Sequence, residues 1–234
     1  MLHIVIATRN RHKFRELKAL LALRGIRWHS LAECSFEPSV NETGRTFDAN
    51  AIKKARAVAR ASGHLALADD SGLEVDALGG GPGIRSARFA GRHGDDQANN
   101  DALLRRLKGV PAAKRRARYR CSLALADPSG LIAITRGTWS GRIAERPAGR
   151  RGFGYDPVFL VPRLGKTVGQ LPTSTKQRLS HRAMAARQMR PLLQRLRKKY
   201  QVLRKAEKVP GTSPSGVAGA RPVRDRLGKD RGAA

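Results

Sequence analysis

Leu2-His3-Ile4-Val5-Ile6-Ala7, followed without a break by Thr8-Arg9-Asn10-Arg11-His12-Lys13, is the stretch on which the fold turns. The first part is a mostly apolar, β-branched run of strand length, and the second is polar. From Arg11 to Arg24, Phe14, Leu17 and Leu21 recur at helical spacing on one face, and Gly25 closes the helix. A buried strand, a polar loop and an amphipathic helix in that order open an α/β sheet. Working outward, Ile26, Trp28 and Ser30 alternate with polar neighbours as a short second strand. Thr46 is a good N-cap for a helix running to Ser62, whose inward face is Phe47, Ala51, Ala55, Val58 and Ala59, with Gly63 past its end. Leu65 to Ala68 reads as a third strand that delivers Asp69-Asp70-Ser71-Gly72 at its carboxyl end, the edge where open α/β sheets bind ligands.

Further along, Asp101 to Lys108 is expected as a short helix. Tyr119, Cys121, Leu123 and Leu125 then alternate up to the turn Asp127-Pro128-Ser129-Gly130, and Leu131 to Thr138 resumes the pattern, an antiparallel hairpin beside the α/β part. A glycine-rich loop from Gly149 to Pro157 precedes a short strand from Val158 to Val161. Ser174 and Gln177 are spaced as a capping box for a last long helix, along which Leu179, Ala183, Ala186, Met189, Leu193, Leu196 and Tyr200 recur every three or four residues. Pro191 predicts a kink or break, because proline removes a hydrogen bond and clashes with the preceding turn. From Pro210 onward Gly, Ser, Pro, Ala and charge follow without period, as in a disordered tail. The chain therefore divides into one domain, residues 1–200, and a basic tail, residues 201–234.

Lys and Arg number 47 against 18 Asp and Glu, a net charge of +29 that attracts polyanions without choosing among them. Residues 195–234 carry twelve of those cations and three acids, so most of the excess is spread over the domain. No apolar run approaches the roughly 20 residues that span a bilayer, and the N-terminal run has no charged leader or cleavage site. The expected address is cytoplasmic, with no membrane partner. Cys34 and Cys121 are too few for a disulfide scaffold or a cysteine zinc site and are expected as free thiols.

Four segments carry chemistry that one anionic ligand could use. Thr8 to Lys13 joins a strand to a helix, so backbone N–H groups and the side chains of Thr8, Asn10 and Lys13 can face phosphate oxygens, or the segment is a polar capping loop. Asp69-Asp70 can hold a hard cation such as Mg²⁺ and position a water if a loop turns both acids toward it, although Asp-Ser-Gly is also common turn chemistry. Phe153-Gly154-Tyr155-Asp156-Pro157 offers aromatics to stack a base and an acid to bond it, or is a tight turn. Lys176 with Ser180-His181-Arg182 adds cations and two donors able to read a purine 6-oxo group, which an amino group cannot satisfy.

In order and spacing these segments resemble the inosine/xanthosine triphosphate pyrophosphatase family, over about Leu2 to Leu196. Glu42-Thr43-Gly44-Arg45-Thr46-Phe47, Asn50-Ala51, Lys54-Ala55, Gly79-Gly80, Pro82-Gly83 and Ser86-Ala87-Arg88 carry the resemblance together with the segments already quoted. It implies a two-lobed α/β protein with a long mixed sheet and a cleft between the lobes, a homodimer. The implied reaction is Mg²⁺-dependent cleavage of ITP, dITP or XTP between the α and β phosphates. Asp70 is implied as general base and metal-linked carboxylate, with Asp69 and Glu42 beside the metal. Thr8, Arg9, Asn10, Arg11, His12, Lys13, Ser71 and Lys176 are implied as substrate contacts, and Phe153, Gly154, Tyr155, Asp156, His181 and Arg182 as the base pocket.

Three departures stand out. Asn41 replaces the first of two acids usual before Thr-Gly, Ala49 replaces a glutamate that would complete a capping box with Thr46, and the family lacks the tail after about Tyr200. With fewer acids Mg²⁺ binding weakens. The alternative is a catalytically weakened nucleotide or nucleic-acid binder on the same fold, with nucleic acid reached through the basic tail.

Overall fold

The computed structural model describes residues 1–34, 40 and 42–206 of the 234-residue chain. Asn41 and the tail from 207 to 234 lie outside the described residues. One sheet of seven strands runs through the molecule in the order β2-β1-β3-β4-β5-β6-β7. Its strands are β1 (Leu2–Ile6), β2 (Ile26–Ser30), β3 (Leu65–Val75), β4 (Arg116–Asp127), β5 (Gly130–Ile143), β6 (Phe159–Val161) and β7 (Lys166–Thr167). The first three are mutually parallel and every later pairing is antiparallel. The expected mixed α/β architecture is what forms, with the hairpin built into the same sheet instead of standing beside it.

Helix α1 (Arg11–Leu20) is capped by Asn10, whose side-chain oxygen accepts from the N–H groups of His12 and Lys13. Helix α2 (Phe47–Ser62) starts at Thr46, whose hydroxyl accepts from Ala49 N–H, and stops at Gly63 in a left-handed conformation, φ +71°. Helix α3 spans Asp96–Arg106, starting earlier than its apolar residues suggest, because Asp95 caps it. Alternation along the strands sorts the layers. Ile4, Ile6, Leu67, Leu123 and Leu125 pack against Leu17, Leu21, Met189 and Leu193 on one face, while Val5, Ala66, Ala68, Ala124 and Ala126 take the small residues of α2 on the other. A second large cluster, around Leu73, Tyr119, Trp139 and Phe159, fills the antiparallel end. The two clusters are the two lobes, and Asp69 and Ser71 of β3 fall between them.

Several expectations are corrected. Asp69 and Asp70 do not end their strand: β3 continues to Val75 and pairs with β4 along its length, so they lie inside it. The last helix is two, α4 (Thr173–Leu179) and α5 (His181–Ala206), and the Ser174–Gln177 capping box does not form. The chain turns at Ser180, which is extended and whose hydroxyl accepts from Ala183 N–H to cap α5. Pro191 sits inside α5 without breaking it, and α5 carries past residue 200, the boundary drawn for the tail, to Ala206. Among the described residues no helix is long and apolar enough to cross a membrane.

Candidate active site

The pleat of β3 sends consecutive side chains to opposite faces, so the two adjacent aspartates have different neighbours. Asp69 is fully buried on the α1 and α5 side. Its Oδ1 accepts from Lys13 Nζ at 2.6 Å and Ser71 Oγ at 2.8 Å, and its Oδ2 from Arg182 Nε at 2.8 Å and Cys121 Sγ at 3.3 Å. Burial raises the carboxyl pKa, but Arg182 and Lys13 outweigh it and hold Asp69 well below the usual range. Asp69 is an anchor for two cations, and both its oxygens are committed. The expectation that both acids turn toward one metal is therefore not met by this geometry.

Asp70 faces α2. Lys54 Nζ donates to Asp70 Oδ1 at 3.0 Å and to the Asp69 carbonyl at 2.8 Å, and lies 3.3 Å from Glu42 Oε1. Among the described residues Asp70 Oδ2 is buried with no hydrogen-bond partner. Burial raises this carboxyl's pKa despite the nearby Lys54. An unpartnered carboxylate oxygen with raised basicity can take a proton or ligate a cation. Among the described residues no group of three His, Cys, Asp or Glu is placed to hold an ion, so Asp70 and Glu42 are the hard-oxygen pair at hand.

A cavity of about 580 Å³ opens over these groups, lined by Thr8, Arg9, Asn10, Lys13, Glu42, Lys54, Asp69, Asp70 and Ser71 among others. Asn10 caps α1, as the capping reading of the Thr8 to Lys13 loop expects, and its side chain also lines this cavity. Arg11 lines neither this cavity nor the next, and its backbone carbonyl accepts from Arg15. His12 stacks on Phe153 with ring centroids 5.3 Å apart, its plane 19° from that of the phenyl.

A second cavity of about 120 Å³ adjoins the first, and Asn10, Lys13, Ser71, Ala87 and His93 line both. It is lined by all the residues expected for a base pocket, Phe153, Gly154, Tyr155, Asp156, His181 and Arg182, together with Lys176, which was expected as a further substrate contact. Lys176 Nζ bonds Asp156 Oδ2 at 2.6 Å and Glu16 Oε1 at 2.7 Å and lies 4.4 Å from the Phe153 ring centre. Asp156 Oδ2 also accepts from Phe153 N–H at 2.9 Å, and Tyr119 donates to Oδ1 at 3.2 Å. Arg182 Nη1 meets Glu16 Oε2 at 2.5 Å and Nη2 meets Ser71 Oγ at 2.9 Å. His181 stacks on Tyr119 at 4.6 Å with its Nδ1 buried and unpartnered. Burial first, then Arg182, holds the imidazole pKa well below its usual value, so it is neutral. The turn at Ser180 produces this convergence, since it separates Lys176 on α4 from His181 and Arg182 at the start of α5.

Glu16 and Lys54 were not singled out as site residues from the chain alone. Glu16 is three residues past Lys13 on the same stripe of α1, the one signal available, and Lys54 faces the site from α2 only because the sheet brings Asp70 beneath it.

Residues 4–192 match the Ham1 family. The dITP/XTP pyrophosphatase of Bacillus subtilis (strain 168) is 46% identical over 194 residues, covering 83% of this chain and 98% of that protein. The dITP/XTP pyrophosphatase of Geobacillus kaustophilus (strain HTA426) is 50% identical over 185 residues, covering 79% of this chain and 91% of its own. Among solved structures, a HAM1 protein from Coxiella burnetii superposes with a TM-score of 0.76 at 39% identity, over 83% of this chain and all of that one, 100%. The Staphylococcus aureus Ham1 protein gives 0.73 at 41% identity, over 82% and 98%.

Proposed function

Because the chain belongs to the Ham1 family, we propose that it hydrolyses non-standard purine nucleoside triphosphates such as dITP, ITP and XTP to the monophosphate and pyrophosphate. The observation that carries this reading is the adjacency of the two cavities, whose walls share Asn10, Lys13 and Ser71. One end is lined with cations and the unpartnered Asp70 oxygen, the other with a stacking ring and buried donors. A triphosphate joined to a purine needs both ends at once.

In the larger cavity Lys13, with Thr8 and Asn10, binds phosphate oxygens, and Lys54 stands beside the scissile region. Asp70 Oδ2 accepts a proton from water as the water oxygen bonds to phosphorus and the bridging P–O bond breaks, so pyrophosphate and the monophosphate leave with the charge shared among the cations. Asp70 and Glu42 would hold Mg²⁺, which supplies neutralisation of the charge on the phosphates when bound. Asn41 lies outside the described residues and enters no step.

Selection of the base follows from counting donors. A guanidinium has five N–H groups. Three go to Asp69, Glu16 and Ser71, which leaves two. Lys176 retains one N–H beyond its bonds to Asp156 and Glu16. Donors left over in a buried pocket favour an oxo substituent and reject the amino group of adenine. A homodimer and a cytoplasmic address, where the nucleotide pool is, complete the reading and rest on the resemblance of the motifs.

The test is pyrophosphate and monophosphate release from ITP, dITP, XTP, GTP and ATP with Mg²⁺, with Asp70→Asn in parallel. Strong release from the oxo-purines, little from ATP, and a loss of roughly 10²–10⁴-fold in the variant are expected. Full turnover by Asp70→Asn would remove Asp70 from its role. No turnover by folded wild-type protein at high Mg²⁺ would leave the binding-protein alternative.

A further inference from the structure

Helix α3 grips the base loop by both backbone groups of one residue. Gly154 N–H donates to Asp96 Oδ2 at 2.6 Å, and the Gly154 carbonyl accepts from Asn100 Nδ2 at 3.0 Å. Asp96 and Asn100 are four residues apart, hence on one stripe of the helix. Gly154 is left-handed, φ +63°, and no heavy atom lies within 4 Å of the place a Cβ would take, so no side-chain packing sets this turn. Hydrogen bonds set it instead.

The consequence falls on the neighbours. Phe153, directly before Gly154, lines the smaller cavity, its ring centre 5.3 Å from that of His12 and 4.4 Å from Lys176 Nζ. Tyr155, directly after it, donates its hydroxyl to the Ser86 carbonyl at 2.8 Å. Asn99, beside Asn100, accepts from Ala90 N–H at 2.8 Å, tying the same helix to the segment that contributes Ala87 and His93 to the smaller cavity. Asp96 lines the base cavity and is not among the residues of the phosphate cavity. An acid in a first helical turn ordinarily serves the helix dipole, yet this carboxylate reaches outside its helix to a loop 58 positions away.

We propose that Asp96 and Asn100 are positioning residues for base recognition. They hold Gly154 so that the Phe153 ring stands at stacking height over the purine, and they act on affinity for the base without touching the phosphate chemistry. The inference rests on the proposed nucleoside triphosphate reading.

The test compares wild-type protein with Asp96→Ala, Asp96→Asn and Asn100→Asp. The readouts are KM and kcat for ITP and XTP, and the inhibition constant of inorganic tripolyphosphate, a base-free probe of the phosphate cavity alone. Asp96→Ala and Asn100→Asp are expected to raise KM roughly tenfold, with kcat within about twofold and tripolyphosphate inhibition unchanged. Asp96→Asn, which keeps an acceptor for Gly154 N–H, is expected to restore most of the lost affinity. Unchanged KM in Asp96→Ala, or a parallel loss of tripolyphosphate inhibition, would overturn the proposal, the second because it marks general loosening. Calorimetric binding of inosine monophosphate reads the same effect without turnover. Wild-type protein that binds the monophosphate but hydrolyses nothing would sink the enzyme reading alone, while equal affinity in wild type and Asp96→Ala would sink the clamp alone. Wild-type protein that does neither would sink both.

Discussion

Arg182 ties three elements of the site together. It is fully buried, and its guanidinium joins Asp69, Glu16 and Ser71, so that β3, α1 and α5 meet on one planar group. Burial alone would lower its pKa, but Asp69 and Glu16 hold it above its ordinary value, and it stays charged. Removing it leaves two carboxylates short of a cation. Arg182→Ala is therefore expected to cost about 3–5 kcal/mol, as measured by denaturant unfolding, because a buried charge is left uncompensated. Arg182→Lys loses the fork and recovers only part of that. A cost under 1 kcal/mol for the alanine variant would show that Lys13 and Lys176 suffice to neutralise the acids. This residue was legible as a site residue from its motif, but its partners were not. Glu16 and Asp69 lie 166 and 113 positions away, and nothing in local pattern reports contacts of that range.

At the scale of elements, α4 and α5 show two competing helix stops. Pro191 carries the stronger local signal, yet the helix runs through it. It is exposed, and its neighbours Met189 and Leu193 are fully buried against the sheet, so tertiary packing holds the axis. Ser180 breaks the chain instead, because its extended backbone and capping hydroxyl satisfy α5's first N–H groups. Pro191→Ala restores one hydrogen bond and is expected to raise stability by roughly 1–3 kcal/mol, read as a higher Tm with pyrophosphatase activity unchanged. A lower Tm would mean that the proline's effect on the unfolded chain outweighs the bond. The expectation for α2 rested on caps and matched, Thr46 and Gly63 bounding it as read, whereas α1 stops at Leu20, short of the Gly25 expected to close it.

Across the whole molecule, three histidines far from one another in the chain gather at the parallel end of the sheet. His3 Nδ1 lies 3.0 Å from His29 Nε2, a contact that needs one nitrogen protonated and the other bare, and His64 stacks 6.0 Å from His3. His3 is held below its ordinary pKa by burial, then by His29 and His64, and His64 by burial. His181, in the site, is shifted the same way. A lowered folded pKa means that the unfolded chain binds more protons between that value and about 6.5, so stability rises with pH through that window and is lost as the solution is acidified through it. Thermal melts are expected to show a lower Tm at pH 5.0 than at pH 7.5, with a shallower dependence in His3→Asn. Parallel curves for the two proteins would remove the cluster from the account. Asp69 and Glu16, held below the ordinary carboxylate range, add their own acid sensitivity only at lower pH.

Much of this protein was determined by its sequence alone. Periods of two and of three to four residues distinguish strand from helix locally, so the α/β class, the order of elements and the helix ends at Thr46 and Gly63 were readable. The motifs also identified the segments that converge on the two cavities. Only the tertiary structure decided how those segments divide their roles. Strand β3 continues past Ala68 because β4 supplies hydrogen bonds along its whole length, and a pleated strand sends neighbouring side chains to opposite faces. Asp69 is thereby turned toward Arg182 and Lys13 as an anchor, and Asp70 toward Lys54 with one oxygen unpartnered. That partition depends on pairing between residues about fifty positions apart, which no local periodicity encodes.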